Sequence, residues 1–216
     1  MSSLDAISGV GLSNDSHADA LSPRQALLAG ADAYELLALP EQTLRENIFV
    51  DFSTQNLPSS LLLAIGADVV LRTTFQCEPC GRLDRNHPGV LKGIGKRRGV
   101  LARVARGGRI RVGDRVRCLP AAVAALPDDW QERILQVVEH VPDNQLIEYR
   151  HLARLAGVPK VYCRVFPKIL ARASTAVARR AKAGHVDSHR QWFGHDFYRI
   201  EEVAALEALA IHAATA

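Results

Sequence analysis

Between Arg45 and Cys118 the apolar residues come in short runs, NIFVDF, ADVVLRTTF, GVLARVA and RIRVGDRVRC, separated by Gly, Pro and Asn clusters. Runs of that length with turn residues between them predict the strands of a small antiparallel barrel or sandwich. The Gly107-Gly108 pair between VLARVAR and RIRV predicts a tight hairpin, because glycine adopts the positive φ angles such a turn needs. Gly113-Asp114 predicts a second turn directly before the last strand. Upstream, the first twenty residues are small and polar. SPRQALLAGADAYELLALP then predicts a helix, opened by Ser22 as N-cap with Pro23 at the first helical position and ended by Pro40.

The pattern changes after LPAAVAALPDD, a connector holding Pro120 and Pro127. Trp130, Ile134, Val137, Val138 and Val141 follow at helical spacing. A turn at VPDNQ, a second helix YRHLARLAG stopped by Gly157, and a third starting near Pro159 complete a helix-turn-helix pattern. The Ala-rich C-terminal tail predicts a last helix. The division expected is therefore a β-rich domain over 1–119, a linker over 120–127 and a small helical domain over 128–216, an α+β chain overall.

Composition fits this reading. The 216 residues are 48% hydrophobic and 23% charged, ordinary for globular domains with real cores. The opening residues have neither a basic n-region nor an apolar h-region, and no window reaches the length of a membrane span, so a cytoplasmic protein with no membrane partner is expected. Four cysteines are too few and scattered for a disulfide scaffold, which makes reduced thiols the default. The net charge of +4 conceals a segregation. Residues 82–117 carry twelve Lys/Arg against two acids, residues 150–199 eleven against two, and the remainder sums to −15. Two basic segments on an acidic chain point to two places that meet anions, such as phosphates of a cofactor or of nucleic acid; the competing reading is two solvated arginine-rich faces.

RTTFQCEPCGRLDRNHPGV places Cys77 and Cys80 on a loop just after a predicted strand. An exposed thiol flanked by Arg82 and Arg85 would have its thiolate, the form that attacks or ligates, stabilised by the positive field. A structural role for the pair stands beside that reading. Zinc would need four ligands, and Cys118, His87 and Cys163 offer no second paired spacing. GIGKRRG at 93–99 could hold a phosphate through backbone amides and Lys96, but it is neither a Walker loop nor a dinucleotide fingerprint.

The order GVGLSNDSHA, SPRQALL, LRENIFVDF, LLAIGADVVLRTTFQCEPCGRL, GVLARVARGGRIRVGDRV resembles the MOSC family, the domain at the C-terminus of molybdenum cofactor sulfurases, over about residues 5 to 119. The resemblance implies a mostly antiparallel β-barrel in which Cys80 carries sulfur or ligates the molybdenum of a molybdopterin cofactor. Soft thiolate suits molybdenum, and a basic surround suits the cofactor's phosphate. Asp15, His17, Arg24, Gln25, Arg45 and Asn47 stand at motif positions on the family's pocket side. For His17 a capping or core hydrogen bond is the alternative, and for Asn47 a turn. Gly66, Gly99, Gly108, Gly113 and Asp114 match as turn chemistry. Asn14-Asp15 replaces the family's frequent Gly-Asp, a departure in that loop. Because MOSC proteins include reductases of N-hydroxylated substrates, such a reaction on base analogues is the most concrete one implied, and it would require an electron-donor protein.

DDWQERILQVVEHVPDNQLIEYRHLARLAGVPKVYCRVFPKIL resembles the DNA-binding domain of the alkylguanine alkyltransferases and alkyltransferase-like proteins, over roughly 127–170. The resemblance implies a winged-helix-like domain in which Tyr149 presses on a nucleotide's phosphate and Arg164 enters the base stack, with nucleic acid bound through 149–199. That family's Pro-Cys-His-Arg motif is absent, the nearest string being Asp187-Ser188-His189-Arg190, and a serine there does not accept alkyl groups as a thiolate would. Pro167 would bend the third helix. Trp192, Phe193 and Phe197 read either as base-stacking groups or as core of the small domain. The expectation is a cofactor or sulfur-carrying thiol domain joined to a DNA-contacting module without alkyl transfer; the alternative is a non-catalytic, damage-recognising DNA-binding protein with the barrel as scaffold.

Overall fold

The computed structural model describes residues 3–215, and all their side chains except those of 82, 86, 121, 122, 200 and 210–215. It is a mixed α+β fold. Nine strands build the first half: β1 (Ser3–Ile7), β2 (Gly11–Leu12), β3 (Ala26–Gly30), β4 (Ile48–Val50), β5 (Leu61–Ile65), β6 (Val69–Gln76), β7 (Val100–Arg106), β8 (Gly108–Arg111) and β9 (Val116–Ala122). Six form one sheet in the order β4-β3-β7-β6-β5-β9, antiparallel throughout except for the parallel β3–β4 pair. The sheet curls as a half-barrel with β4 and β9 as its edges, and β2-β1-β8 form a second, three-stranded sheet. Leu28, Leu63, Ile65, Leu71, Val100, Ala102 and Val104 fill the space inside as an aliphatic core. Helices α1 (Ala31–Leu37), α2 (Gly81–Asn86) and α3 (Val90–Ile94) lie in the connections.

Two local expectations are corrected. The helix expected from Ser22 to Pro40 is confined to α1, because Ala26–Gly30 forms a strand buried along its whole length between β4 and β7. A strand buried on both faces shows a continuous apolar run, which periodicity does not distinguish from helix. Gly30 closes the strand where a Cβ would collide with the Phe52 carbonyl. The hairpin expected at Gly107-Gly108 is instead a change of sheet. β7 stays between β3 and β6, whereas β8 pairs with β1 from Ser3↔Arg111 to Ala6↔Gly108. Gly107 N donates to Ser8 Oγ at 2.7 Å, and a Cβ on Gly107 would lie 2.6 Å from the Ala6 carbonyl oxygen. The turn at Gly113-Asp114 is present: Gly113 has φ +88° and Asp114 Oδ2 accepts from Arg111 N at 2.7 Å.

In the second half α4 (Trp130–Glu139) is capped by Asp129, which accepts from Gln131 N and Glu132 N. Then come β10 (Ile147–Glu148), α5 (Tyr149–Leu155), a 3₁₀ turn over Lys160–Val165, α6 (Phe166–Leu170), α7 (Thr175–Ala178), β11 (Ala181–Lys182), parallel to β10, and α8 (Asp196–Thr215). Ile134, Val137 and Val138 are buried as their spacing requires, and Gly157 ends the α5 segment at φ +66°. Pro167 sits in the first turn of α6, where no helical N–H is lost, so the third helix begins as 3₁₀ and restarts as α. Strand β9 runs to Ala122, three residues into the stretch expected as linker.

The two halves share a core. Leu27, Phe75, Cys77 and Leu101 of the sheet pack with Ile134, Val137, Leu152, Leu155 and Tyr198. Helix α8 then returns to the sheet, with the Tyr198 ring between the guanidinium carbons of Arg103 and Arg72 at 4.2 and 5.5 Å. The Tyr198 hydroxyl donates to the Leu155 carbonyl, and burial pushes that phenol's pKa upward. Glu202 accepts from Arg103 Nε at 2.8 Å and faces Arg72 Nη1 at 3.7 Å, all three side chains being buried.

Candidate functional site

The loop Cys77–Cys80 leaves the end of β6, the longest strand, and enters α2. Backbone bonds fix both ends of the loop. Gln76 N donates to Asp128 Oδ1 at 3.0 Å and Cys77 N to Gly99 O at 2.8 Å; Leu83 N donates to Cys80 O at 2.9 Å. The two thiols consequently differ. Cys77 is buried, with Arg24 Nη2 3.9 Å from its sulfur, while Cys80 is exposed as the residue preceding α2. Burial pushes the Cys77 thiol pKa up, and the charges of Arg98 and Arg24 offset that only in part. Cys77 is thus protonated and inert at neutral pH, and the exposed thiol is the one that meets reagents.

Among the described side chains, three cations act on the loop; that of Arg82, expected beside Cys80, lies outside them. Arg24 Nη1 donates to Glu78 Oε2 at 3.1 Å and to Gly157 O at 3.3 Å. Arg133, buried under the ring of Phe75 with its guanidinium carbon 3.5 Å from the centroid, gives Glu78 Oε1 a bond of 3.0 Å. Arg98 keeps Nε and Nη1 buried without hydrogen-bond partners, and its charge acts on both the Cys77 thiol and the Tyr34 phenol. Within GIGKRRG the other cations are engaged: Lys96 pairs with Asp128 at 3.0 Å and Arg97 with Asp32 at 3.4 Å. Lys96 is therefore not the open phosphate contact that the segment invited.

A second cluster gathers three of the expected pocket residues. Asp15 Oδ1 accepts from His17 N at 2.6 Å and lies 2.9 Å from His17 Nδ1; Asp15 Oδ2 accepts from Asn47 Nδ2 at 2.7 Å. Burial raises the Asp15 carboxyl, but the bonds from His17 and Asn47 outweigh it and hold the pKa below the ordinary range. Asn47 also clasps β3, its Oδ1 accepting from Leu27 N and its own N donating to Leu27 O. Both structural alternatives therefore apply here: His17 closes a local turn, and Asn47 ties that turn to the sheet. No hydrogen bond joins Asp15, His17 or Asn47 to Cys77 or Arg24 among the described residues. Gln25 is buried and structural, linking Gly9 O, Asp19 O and Val104 N. Arg45, at φ +54°, is exposed without an ion pair or side-chain hydrogen bond among the described residues.

In the helical half, Tyr149 is half-buried against Phe166, with ring centroids 5.3 Å apart. Cys163 Sγ contacts Tyr149 O at 3.4 Å, which sets the 3₁₀ turn against the start of α5. Arg164 is exposed on that turn, beside exposed Lys160, Val161, Tyr162 and Val165. Trp192 and Phe197 pack partly buried against the shared core, while Phe193 is exposed and stacked on His195. Among the described residues no three His, Cys, Asp or Glu side chains gather as metal ligands, and no helix is long and apolar enough to cross a membrane.

Sequence reasoning missed Glu78, Arg98 and Arg133. Glu78 had a signal in its place between the cysteines. Arg133 had none, since WQERILQVVEH gives no sign that one arginine of the helix is buried.

The half-barrel thus carries an exposed cysteine on a loop that arginines contact, directly after its longest strand. Residues 12–117 match the MOSC domain, so that stretch is a MOSC domain, of a family linked to molybdenum-cofactor-associated sulfur carriage and oxidoreduction. Among curated proteins none matches the chain. Solved structures that it resembles include the YuaD protein from Bacillus subtilis, at 17% identity and a TM-score of 0.46 over 54% of this chain and 84% of that one. YiiM from Escherichia coli is similar at 16% identity and a TM-score of 0.47, over 82% of this chain and 90% of that one.

Proposed function

We propose that this protein uses Cys80 as a sulfur carrier or as the thiolate ligand of a molybdenum cofactor. The observation that carries the reading is the division of labour within the cysteine pair, with Cys77 buried and Cys80 exposed in a stretch that matches the MOSC domain. As a carrier, the Cys80 thiolate attacks the outer sulfur of a donor persulfide. The donor's S–S bond breaks, its thiolate leaves, and Cys80 holds the new persulfide. As a ligand, Cys80 supplies the soft donor that molybdenum favours. The residues fit an anionic group: Arg98 has two buried N–H-bearing atoms without partners, and Arg45 is an exposed cation. When bound, a molybdenum centre supplies two-electron oxygen-transfer chemistry. The chain's own contribution is to hold the cysteine at the surface and to place positive charge behind it. Reduction of N-hydroxylated substrates, base analogues among them, extends this reading and calls for an electron-donor protein.

The experiment is metal, pterin and sulfane-sulfur analysis of the protein and of Cys80→Ser, both purified from cells that make molybdenum cofactor. Molybdenum or persulfide sulfur near one equivalent, lost in the variant, is expected. Neither species in the wild-type protein would overturn the reading.

A second reading concerns the helical half and rests on the exposed 3₁₀ turn, where Arg164 and Lys160 stand beside exposed Tyr162 and Val161. Cations interleaved with an aromatic suit a nucleic-acid backbone and its bases. On this reading the half contacts DNA without alkyl transfer, with Tyr149 and Arg164 as contact residues. Arg164→Ala is then expected to weaken DNA retention about tenfold at low salt and to flatten its salt dependence. Unchanged binding would remove Arg164 from the interface.

A further inference from the structure

The loop between the cysteines has one long side chain, and it is fully engaged. Glu78 is 46% exposed as a side chain, yet each carboxylate oxygen has a guanidinium partner: Arg133 on Oε1 and Arg24 on Oε2. The two arginines differ in kind. Arg24 is partly exposed, and a surface pair of that sort contributes little by itself. Arg133 is 1% exposed and immobile. Its Nε donates to Ala156 O at 2.9 Å, and its Nη1 donates to Pro127 O and Asp128 O at 2.9 and 2.8 Å. Phe75 covers its face. A guanidinium already fixed by four other contacts has no rotamer freedom left to lose on pairing, so its bond to Glu78 acts as a rigid tether.

The tether crosses the seam between the halves. Arg133 belongs to α4, the carbonyl of Ala156 follows α5, and Arg24 reaches the Gly157 carbonyl beside it. Cys80 lies two residues beyond Glu78 in the same loop. The backbone bonds of Cys77 and Leu83 fix where this loop begins and ends, but Glu78 is what joins its middle to the helices.

We infer that Glu78 is a positioning residue for Cys80 and that Arg133 is the fixed point against which the helical half sets the thiol. This rests on Cys80 being the reactive group. The helical half is then part of the thiol site, whatever else it binds.

The test is the rate of Cys80 alkylation by iodoacetamide in the full chain, followed by peptide mass spectrometry across neutral to alkaline pH. Exposed Cys118 on β9 serves as internal reference. The midpoint of the profile reports charge near the thiol, and the alkaline plateau reports geometry. Glu78→Ala removes the carboxylate and with it the bonds to both arginines, so the midpoint is expected to move toward acid and the Cys80 plateau to rise about threefold or more relative to Cys118. Glu78→Asp keeps the charge but is too short to span both arginines; its plateau is expected to rise likewise while its midpoint stays near wild type. Arg133→Met should raise the plateau too, with no further rise when combined with Glu78→Ala, because either change removes the Glu78–Arg133 bond. If Arg133→Met does not fold, the Ala and Asp variants decide the matter. A plateau unchanged in both, or a rise shared equally by Cys118, overturns the inference. Alkylation requires neither molybdenum nor sulfane sulfur, so the result stands even if the protein carries neither.

Discussion

The inside of the half-barrel and the seam between the halves are both buried, but the seam adds buried arginines to its apolar residues. Inside, Leu28, Leu71, Val100 and their neighbours meet as aliphatic surfaces, and any well-packed set of similar volume would serve. The seam is organised by arginines: Arg133 over Phe75 with Glu78, and Arg72 and Arg103 about Tyr198 with Glu202. Such contacts are directional, so they specify how the halves sit rather than simply holding them together. Beside the Cys77–Cys80 loop the contacts are of the directional kind.

The largest test of this contrast is Glu202→Ala. It leaves Arg103 and Arg72 buried with their shared carboxylate gone, a change expected to cost about 3–5 kcal/mol. Urea unfolding of the full chain checks this; a loss below about 1 kcal/mol would mean that water reaches the arginines and that the seam is not dry. Gly157→Ala should cost less, about 1–3 kcal/mol. The residue has φ +66°, and an added Cβ would lie 2.7 Å from Pro23 Cγ and 3.0 Å from the Phe75 ring, so the seam itself must part. Thermal unfolding together with Cys80 alkylation would show whether strain there reaches the loop.

The smallest effect comes from pH. Burial raises the carboxyls of Asp19 and Asp128, but hydrogen bonds outweigh it, from Arg154 and Leu21 N in the first case and from Gln76 N and Lys96 in the second; both pKa values fall below 3.8. A carboxylate with a depressed folded-state pKa stabilises fully above its unfolded value and loses that contribution as pH falls through the folded one. Stability should therefore hold near pH 5 and decline below about pH 4. Asp19→Asn removes part of that decline while costing at most about 1 kcal/mol at neutral pH, since its partner Arg154 is exposed.

What could be read from the residues follows the same contrast. Strands β4, β6, β7 and β9 and helices α4 and α5 were legible because local spacing shows one buried face or a punctuated apolar run. β3 was not, since ALLAG suits helix or strand alone and becomes strand only between β4 and β7. The pairing of β8 was hidden for a similar reason: Gly107-Gly108 signals a turn locally, while its partner β1 lies about a hundred residues away, as the Gly107 N bond to Ser8 illustrates. At the site, Cys80 and Arg24 were visible. The asymmetry of the two thiols was not, nor was the Glu78–Arg133 bond, whose partners stand 55 residues apart. Asp15, His17 and Asn47 came together because they cluster through one loop and one strand edge.

The return of α8 to the sheet has a consequence for synthesis. Arg72 and Arg103 are laid down in β6 and β7, but the carboxylates they pair with, Glu201 and Glu202, leave the ribosome about 100 to 130 residues later. Until then a nascent sheet would have to bury two guanidinium groups without their counter-ion, or leave that face wet. Final closure of the sheet's outer layer is thus deferred until α8 emerges, and a truncated chain would present a cationic, incompletely covered surface to the cell's quality-control machinery.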